Sequence, residues 1–190
     1  RIVATVADSG VGIAPDMRDR VFDLFEQADT TVQACVPFYG VYDFTDRRGH
    51  WKRSLLRPML EHRIVKKRLR DDFEVFDRAS PMSRVHPGAP PFFVIHGTRD
   101  TMVPIAEART FVELLRAASR APVLFAELPG AQHAFEIFPS ERTGHALMGV
   151  ERFLAWTYSV WREKREHALP EAHVAVPAAA VVQVPASQAA

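Results

Sequence analysis

A single cysteine, Cys35, excludes an internal disulfide framework and leaves the redox compartment open. No apolar run approaches the roughly 20 residues that a membrane span needs. The chain starts at Arg1 and shows no charged-then-apolar layout of a secretion signal. Its formal net charge of +1, from 24 Lys and Arg against 23 Asp and Glu, gives no electrostatic footprint for nucleic acid. Internal repeats are absent. The eight histidines are scattered, and the nearest metal-like pair, His167 and His173, lacks cysteine or carboxylate support. The expectation from these absences is a soluble, cytoplasmic protein with no metal, no nucleic-acid partner and no membrane span. They leave its oligomeric state open.

What is present is enough apolar material for a core, 47% hydrophobic with 13 Phe in 190 residues. That length allows one ordinary domain with a tail, or one domain with a fragment of another. Residues 2–7 read as a strand, residues 8–13 as a glycine-rich turn, and Pro15 opens a helix along which Met17, Val21, Leu24 and Phe25 recur at helical spacing. A second apolar strand runs from Val32 toward Asp43, with Cys35 as inert core within it.

Residues 47–84 are charged and helical in pattern. Leu56, Leu60, Ile64, Leu69, Phe73 and Phe76 are expected on one apolar face. The basic cluster from His62 to Arg70 is balanced by Asp71, Asp72, Glu74 and Asp77, as on a solvated helix face. Strands follow over residues 92–95 and 123–128, with helices over residues 104–118 and 141–161. Strand, helix, strand, helix at these lengths implies a parallel sheet. Beyond residue 165 the composition turns to Ala, Val and Pro, which predicts disorder over residues 166–190.

Two loops carry chemistry. Pro91-Phe-Phe-Val-Ile-His-Gly-Thr-Arg-Asp100 places an acid just past a buried strand, and Gly130-Ala-Gln-His133 places a histidine past the next. Open α/β sheets put their functional groups at such strand ends. Acid before histidine is the order in which an α/β-hydrolase presents two members of its triad. The segments around them, His96-Gly-Thr-Arg-Asp-Thr-Met-Val-Pro104 and Gly130-Ala-Gln-His-Ala-Phe135, resemble the acid and histidine loops of that family. The run Phe25-Glu-Gln-Ala-Asp-Thr-Thr-Val-Gln-Ala-Cys-Val-Pro-Phe-Tyr-Gly-Val-Tyr-Asp43 resembles the entry to the sixth strand in its carboxylesterase/lipase branch. This resemblance covers about residues 25–165. It implies Asp100 and His133 as catalytic residues, a small acyl ester as substrate, and a cap over the acyl pocket within residues 47–84.

A second resemblance covers residues 1–31. Val6-Ala-Asp-Ser-Gly-Val-Gly-Ile-Ala-Pro15 with Arg20-Val-Phe-Asp-Leu-Phe-Glu-Gln-Ala-Asp29 is similar to the ATP-binding domain of sensor histidine kinases. It implies that Asp8 bonds the adenine amino group while Gly10 and Gly12 admit the nucleotide. That family's magnesium-binding asparagine helix, phosphate-side glycine loop and phospho-accepting histidine have no counterpart here, so no cofactor is expected. Residues 25–29 fit both families, which suggests a fusion point.

The hydrolase resemblance lacks its nucleophile. No Gly-x-Ser-x-Gly elbow and no His-Gly-Gly-Gly oxyanion loop occurs in the 190 residues. Ser9 lies on a strand–turn–helix in the elbow's place in the order, and Ala7 could replace the first glycine, but Val11 stands where the second belongs. A β-branched residue there crowds the helix that packs on the elbow, so Ser9 is not the expected nucleophile. The expected architecture is a kinase-like strand–turn–helix over residues 1–30, then the C-terminal half of an α/β-hydrolase over residues 31–165, then the tail. That half should carry three to four parallel strands, flanking helices and a helical cap, with little or no turnover. The alternative is a non-enzymatic fusion product or an ATP-binding kinase fragment.

Overall fold

The computed structural model describes residues 32–51 and 54–168. Its centre is strand β1 (Phe92–Gly97), a run whose aromatic and β-branched residues suit a strand buried on both faces. Strand β2 (Val123–Leu128) pairs with it in parallel, in register from Phe92 with Val123 to Gly97 with Leu128. Helix α3 (Ile105–Ala118) makes the crossover between them. Its Ala108, Phe111, Val112 and Leu115 recur at helical spacing and bury against Phe92, Val94 and Tyr42. On the other face of β1, Phe93 meets Phe153 of helix α4 (Glu141–Ala168).

A third strand is present only in part. Cys35 N–H donates to Pro91 O, Cys35 O accepts from Phe93 N–H, Pro37 O accepts from Ile95 N–H and Tyr39 N–H donates to Ile95 O. The segment therefore runs parallel beside β1, bridging at Cys35 with Phe92 and at Phe38 with Ile95. Pro37 has no N–H at a ladder position, which breaks the pairing. Among the described residues, the expected three to four strands are a two-stranded sheet plus this bridged segment. The strand expected over residues 2–7 lies outside the described residues.

The cap-like region is less regular than its pattern predicts. Helix α1 (Leu56–Met59) passes into a π turn at Leu60–Ile64, closed by Val65 N–H to Leu60 O at 2.7 Å. Helix α2 (Phe73–Ala79) leads into a 3₁₀ turn at Pro81–Arg84. Leu56, Leu60, Leu69 and Phe76 form a second core cluster with Trp51 and Val103. Ile64 and Phe73, expected in that face, are exposed. The wider π turn rotates Ile64 off the stripe, and Phe73 is covered from outside by the Arg47 guanidinium, 5.2 Å from its ring centre. Helix α4 runs to Ala168, past the expected start of the tail at residue 166.

Candidate active site

The end of β1 builds the acid's position. Past Gly97, Thr98 N–H donates to Leu128 O and Arg99 N–H to Ala131 O, each at 3.0 Å, which binds the acid loop to the start of the histidine loop. Gly97 is required by that closeness. A Cβ there would lie 2.3 Å from Ala131 O. Asp100 Oδ1 then accepts from the N–H groups of Met102 and Val103, at 2.9 and 2.8 Å. These bonds lock the carboxyl at the entrance to α3.

Asp100 Oδ2 faces two imidazoles. His133 Nδ1 lies 2.8 Å away. His96 Nε2 lies at 3.3 Å and also 2.9 Å from Val103 O. Because Val103 O only accepts, His96 Nε2 carries the proton, and its buried Nδ1 has no partner among the described residues. Burial pushes the Asp100 carboxyl up, but the donors His96, Val103 N–H and His133 outweigh it and hold the group below the ordinary carboxylate range. An ionised Asp100 makes His133 Nδ1 the donor and leaves Nε2 as the basic nitrogen.

His133 reaches this partner from the loop after β2. Gly130, at φ +72°, makes the reversal, and its N–H donates to Thr98 Oγ1 at 2.9 Å. The half-buried imidazole is flanked by Tyr39, with ring centres 4.2 Å apart. The Tyr39 hydroxyl donates to Glu136 Oε1. Burial, then the carboxylates of Glu136 and Asp100, push the Tyr39 phenol well above its ordinary range, so it stays protonated.

A further buried carboxylate stands behind the acid loop. Glu107, fully buried, accepts from Tyr42 N–H (3.1 Å) and Asp43 N–H (2.6 Å) on Oε1, and from Trp51 Nε1 (3.2 Å) on Oε2. It ties the first turn of α3 to the loop after the third strand and to the cap-like region. Burial pushes it up to about 7 against those donors.

Sequence reasoning placed Asp100 and His133, and the structure brings them together. It missed Tyr39, Glu136, Glu107 and the bond from His96 to Asp100. Glu107 was detectable, since it stands one helical turn before Phe111 in the buried stripe of α3. Tyr39 and Glu136 meet across a long stretch of chain with no periodic signal. Ser9, Asp8, Gly10 and Gly12 lie outside the described residues, as does His173. His167 Nδ1 lies 2.8 Å from the Glu163 carbonyl oxygen. Among the described residues no group of three or more His, Cys, Asp or Glu could hold a metal ion, and no helix is long and apolar enough to cross a membrane. Burial pushes the Cys35 thiol up to about 11, which keeps it protonated. In the basic cluster, Lys67 pairs with Asp72 at 2.7 Å and Arg70 with Asp71 at 3.1 Å.

The chain is similar to known proteins. The BD-FAE family matches residues 13–115. The probable carboxylic ester hydrolase LipM of Mycobacterium tuberculosis is 45% identical over 153 residues, which are 80% of this chain and 35% of that protein. Esterase LipQ of the same organism is 46% identical over 134 residues, 70% of this chain and 31% of that one. The chain thus spans about a third of the length of these curated relatives. Among solved structures, a truncated carbohydrate esterase from gut microbiota superposes with a TM-score of 0.56 at 21% identity. That match covers 67% of this chain and 43% of the other. Esterase 2 of Thermogutta terrifontis gives 0.50 at 24%, covering 65% and 41%. These similarities show the α/β-hydrolase fold in part. The family match begins inside the stretch that resembles a kinase, and the kinase resemblance gains no support.

Proposed function

More than half of this chain lies in that match, so it belongs to the BD-FAE family of α/β-hydrolase-type esterases, and from there we propose that Asp100 and His133 are the acid and base of an acyl-ester hydrolysis site. One observation carries the reading: His133 Nδ1 meets Asp100 Oδ2 at 2.8 Å while four donors in all hold that carboxylate. In this arrangement His133 Nε2 takes the proton of an attacking hydroxyl. Asp100 fixes the tautomer and stabilises the imidazolium, and His133 returns the proton to the leaving alcohol.

The chain supplies the proton-handling side of the reaction, and among the described residues no serine bonds His133. Ser54, Ser80, Ser83, Ser119, Ser140 and Ser159 each bond a group other than His133. The elbow motif is absent from the 190 residues. Ester turnover by this chain is therefore expected to be negligible. The test is hydrolysis of p-nitrophenyl acetate and butyrate, with fluorophosphonate labelling, in the parent chain, His133→Asn and Ser9→Ala. The expected outcome is equal background rates and no label. Turnover that depends on His133, with label lost in Ser9→Ala, would overturn the claim of inactivity and make Ser9 the nucleophile.

A further inference from the structure

Tyr39 is mounted on the sheet and reaches the histidine loop twice. Its N–H donates to Ile95 O at 2.8 Å, which fixes its backbone on the strand that leads to the acid. Its φ of +39° is left-handed, a conformation that a tyrosine keeps only where its surroundings enforce it. That backbone turn sets the ring on the His133 imidazole, with centres 4.2 Å apart and planes tilted by 53°.

From there the hydroxyl donates to Glu136 Oε1, on the far side of Ala134, itself left-handed at φ +57°. Neighbouring rings reinforce the contact. Phe38 stacks on Phe135 at 6.0 Å, and Tyr39 meets Phe135 edge-on at 6.1 Å. Residues 38 and 39 of the third strand thus grip residues 133, 135 and 136 of the loop.

Packing alone does not require this chemistry. A phenylalanine would supply the same ring, yet the site holds a phenol against a carboxylate whose other oxygen, Oε2, is buried without a partner among the described residues. Burying that oxygen is unfavourable, and among the described residues the Tyr39 hydroxyl is the group that bonds the carboxylate in compensation.

We propose that Tyr39, through its ring on His133 and its hydroxyl on Glu136, is a positioning residue. It holds the imidazole so that Nδ1 stays on Asp100 and Nε2 stays the basic nitrogen. The proposal rests on the reading of His133 as the base. It adds a part that no pairing of acid and histidine contains.

The test reads imidazole geometry and not turnover. In the ¹⁵N-labelled full chain, the His133 ring resonances are assigned by comparison with His133→Gln. Tyr39→Phe keeps the ring and removes the bond, and Glu136→Leu removes it from the other side. Both are expected to broaden the Nδ1 proton signal. Glu136→Gln, which still accepts from the phenol, is expected to keep the parent signal. The double variant Tyr39→Phe/Glu136→Leu is expected to do no more than either single change. An unchanged His133 signal in both Tyr39→Phe and Glu136→Leu would overturn the proposal, as would loss of the signal in Glu136→Gln. An Nδ1 signal that survives in Asp100→Asn would count against the underlying reading of His133 and leave this result readable.

Discussion

Asp100 and Glu107 are buried carboxylates on either side of the turn into α3, and they are held in opposite ways. Both accept from several N–H groups. Asp100 also faces two imidazoles, groups that can themselves take a proton, and its carboxyl is held below the ordinary range. Glu107 has backbone amides and an indole as donors, none able to carry a positive charge, and burial lifts it to about 7. The contrast separates an acid kept charged to serve a histidine from one that knots three segments together. The region around Glu107 is a structural joint, and the region around Asp100 is the proposed acid–base site beside it.

Removing the joint should cost more than removing the acid. Glu107→Ala leaves three buried N–H donors unpaired and should lose about 3–5 kcal/mol in urea unfolding. Asp100→Ala, beside a half-buried histidine, should lose about 2–3 kcal/mol. A larger loss for Asp100→Ala would break the contrast. Gly97→Ala tests the shared foundation of the two loops. Its Cβ, 2.3 Å from Ala131 O, must push the loops apart, and about 2–3 kcal/mol should be lost.

The pH dependence should carry opposite signs. Glu107 binds its proton more tightly in the folded chain, so its contribution is full below its ordinary value of 4.5 and is lost as pH rises through about 7. Asp100 binds its proton less tightly when folded. Its contribution is full above its ordinary value of 3.8 and is lost as pH falls through the lower folded value. Unfolding free energies measured from pH 3 to 8 should show the decline between 4.5 and 7, on the order of 3 kcal/mol, flattened in Glu107→Gln alone. The acid-side decline should flatten in Asp100→Asn alone. The smallest effect is expected at the exposed pair Arg109–Glu127, which links α3 to β2 at 2.6 and 2.8 Å. Arg109→Gln should cost about 0.5 kcal/mol at low salt and nothing measurable at about 1 M.

The elements nearest the site were legible because their patterns are simple. β1 and β2 are short apolar runs stopped by glycine turns, and α3 and α4 carry stripes at helical spacing. Asp100 and His133 were legible from their places just past those strands. The third strand was legible as an apolar run, but one proline, Pro37, decides that it stays a bridged segment. The cap-like region misled at Ile64 because a π turn changes the spacing on which the pattern relies. Tyr39 and Glu136 were invisible because their contact is set by left-handed backbone turns at Tyr39 and Ala134 that no residue type there announces. Local pattern fixed where the acid and the histidine stand, whereas long-range contacts set the surroundings that orient them.

The most direct measurement is the ¹H resonance of the His133 Nδ1 proton in the parent chain, Asp100→Asn and Glu107→Gln. The expected result is a far-downfield signal that disappears in Asp100→Asn and persists in Glu107→Gln. Survival of the signal without the Asp100 carboxylate, or its loss in both variants alike, would contradict the assignment of Asp100 and His133 as a preorganised acid–base pair.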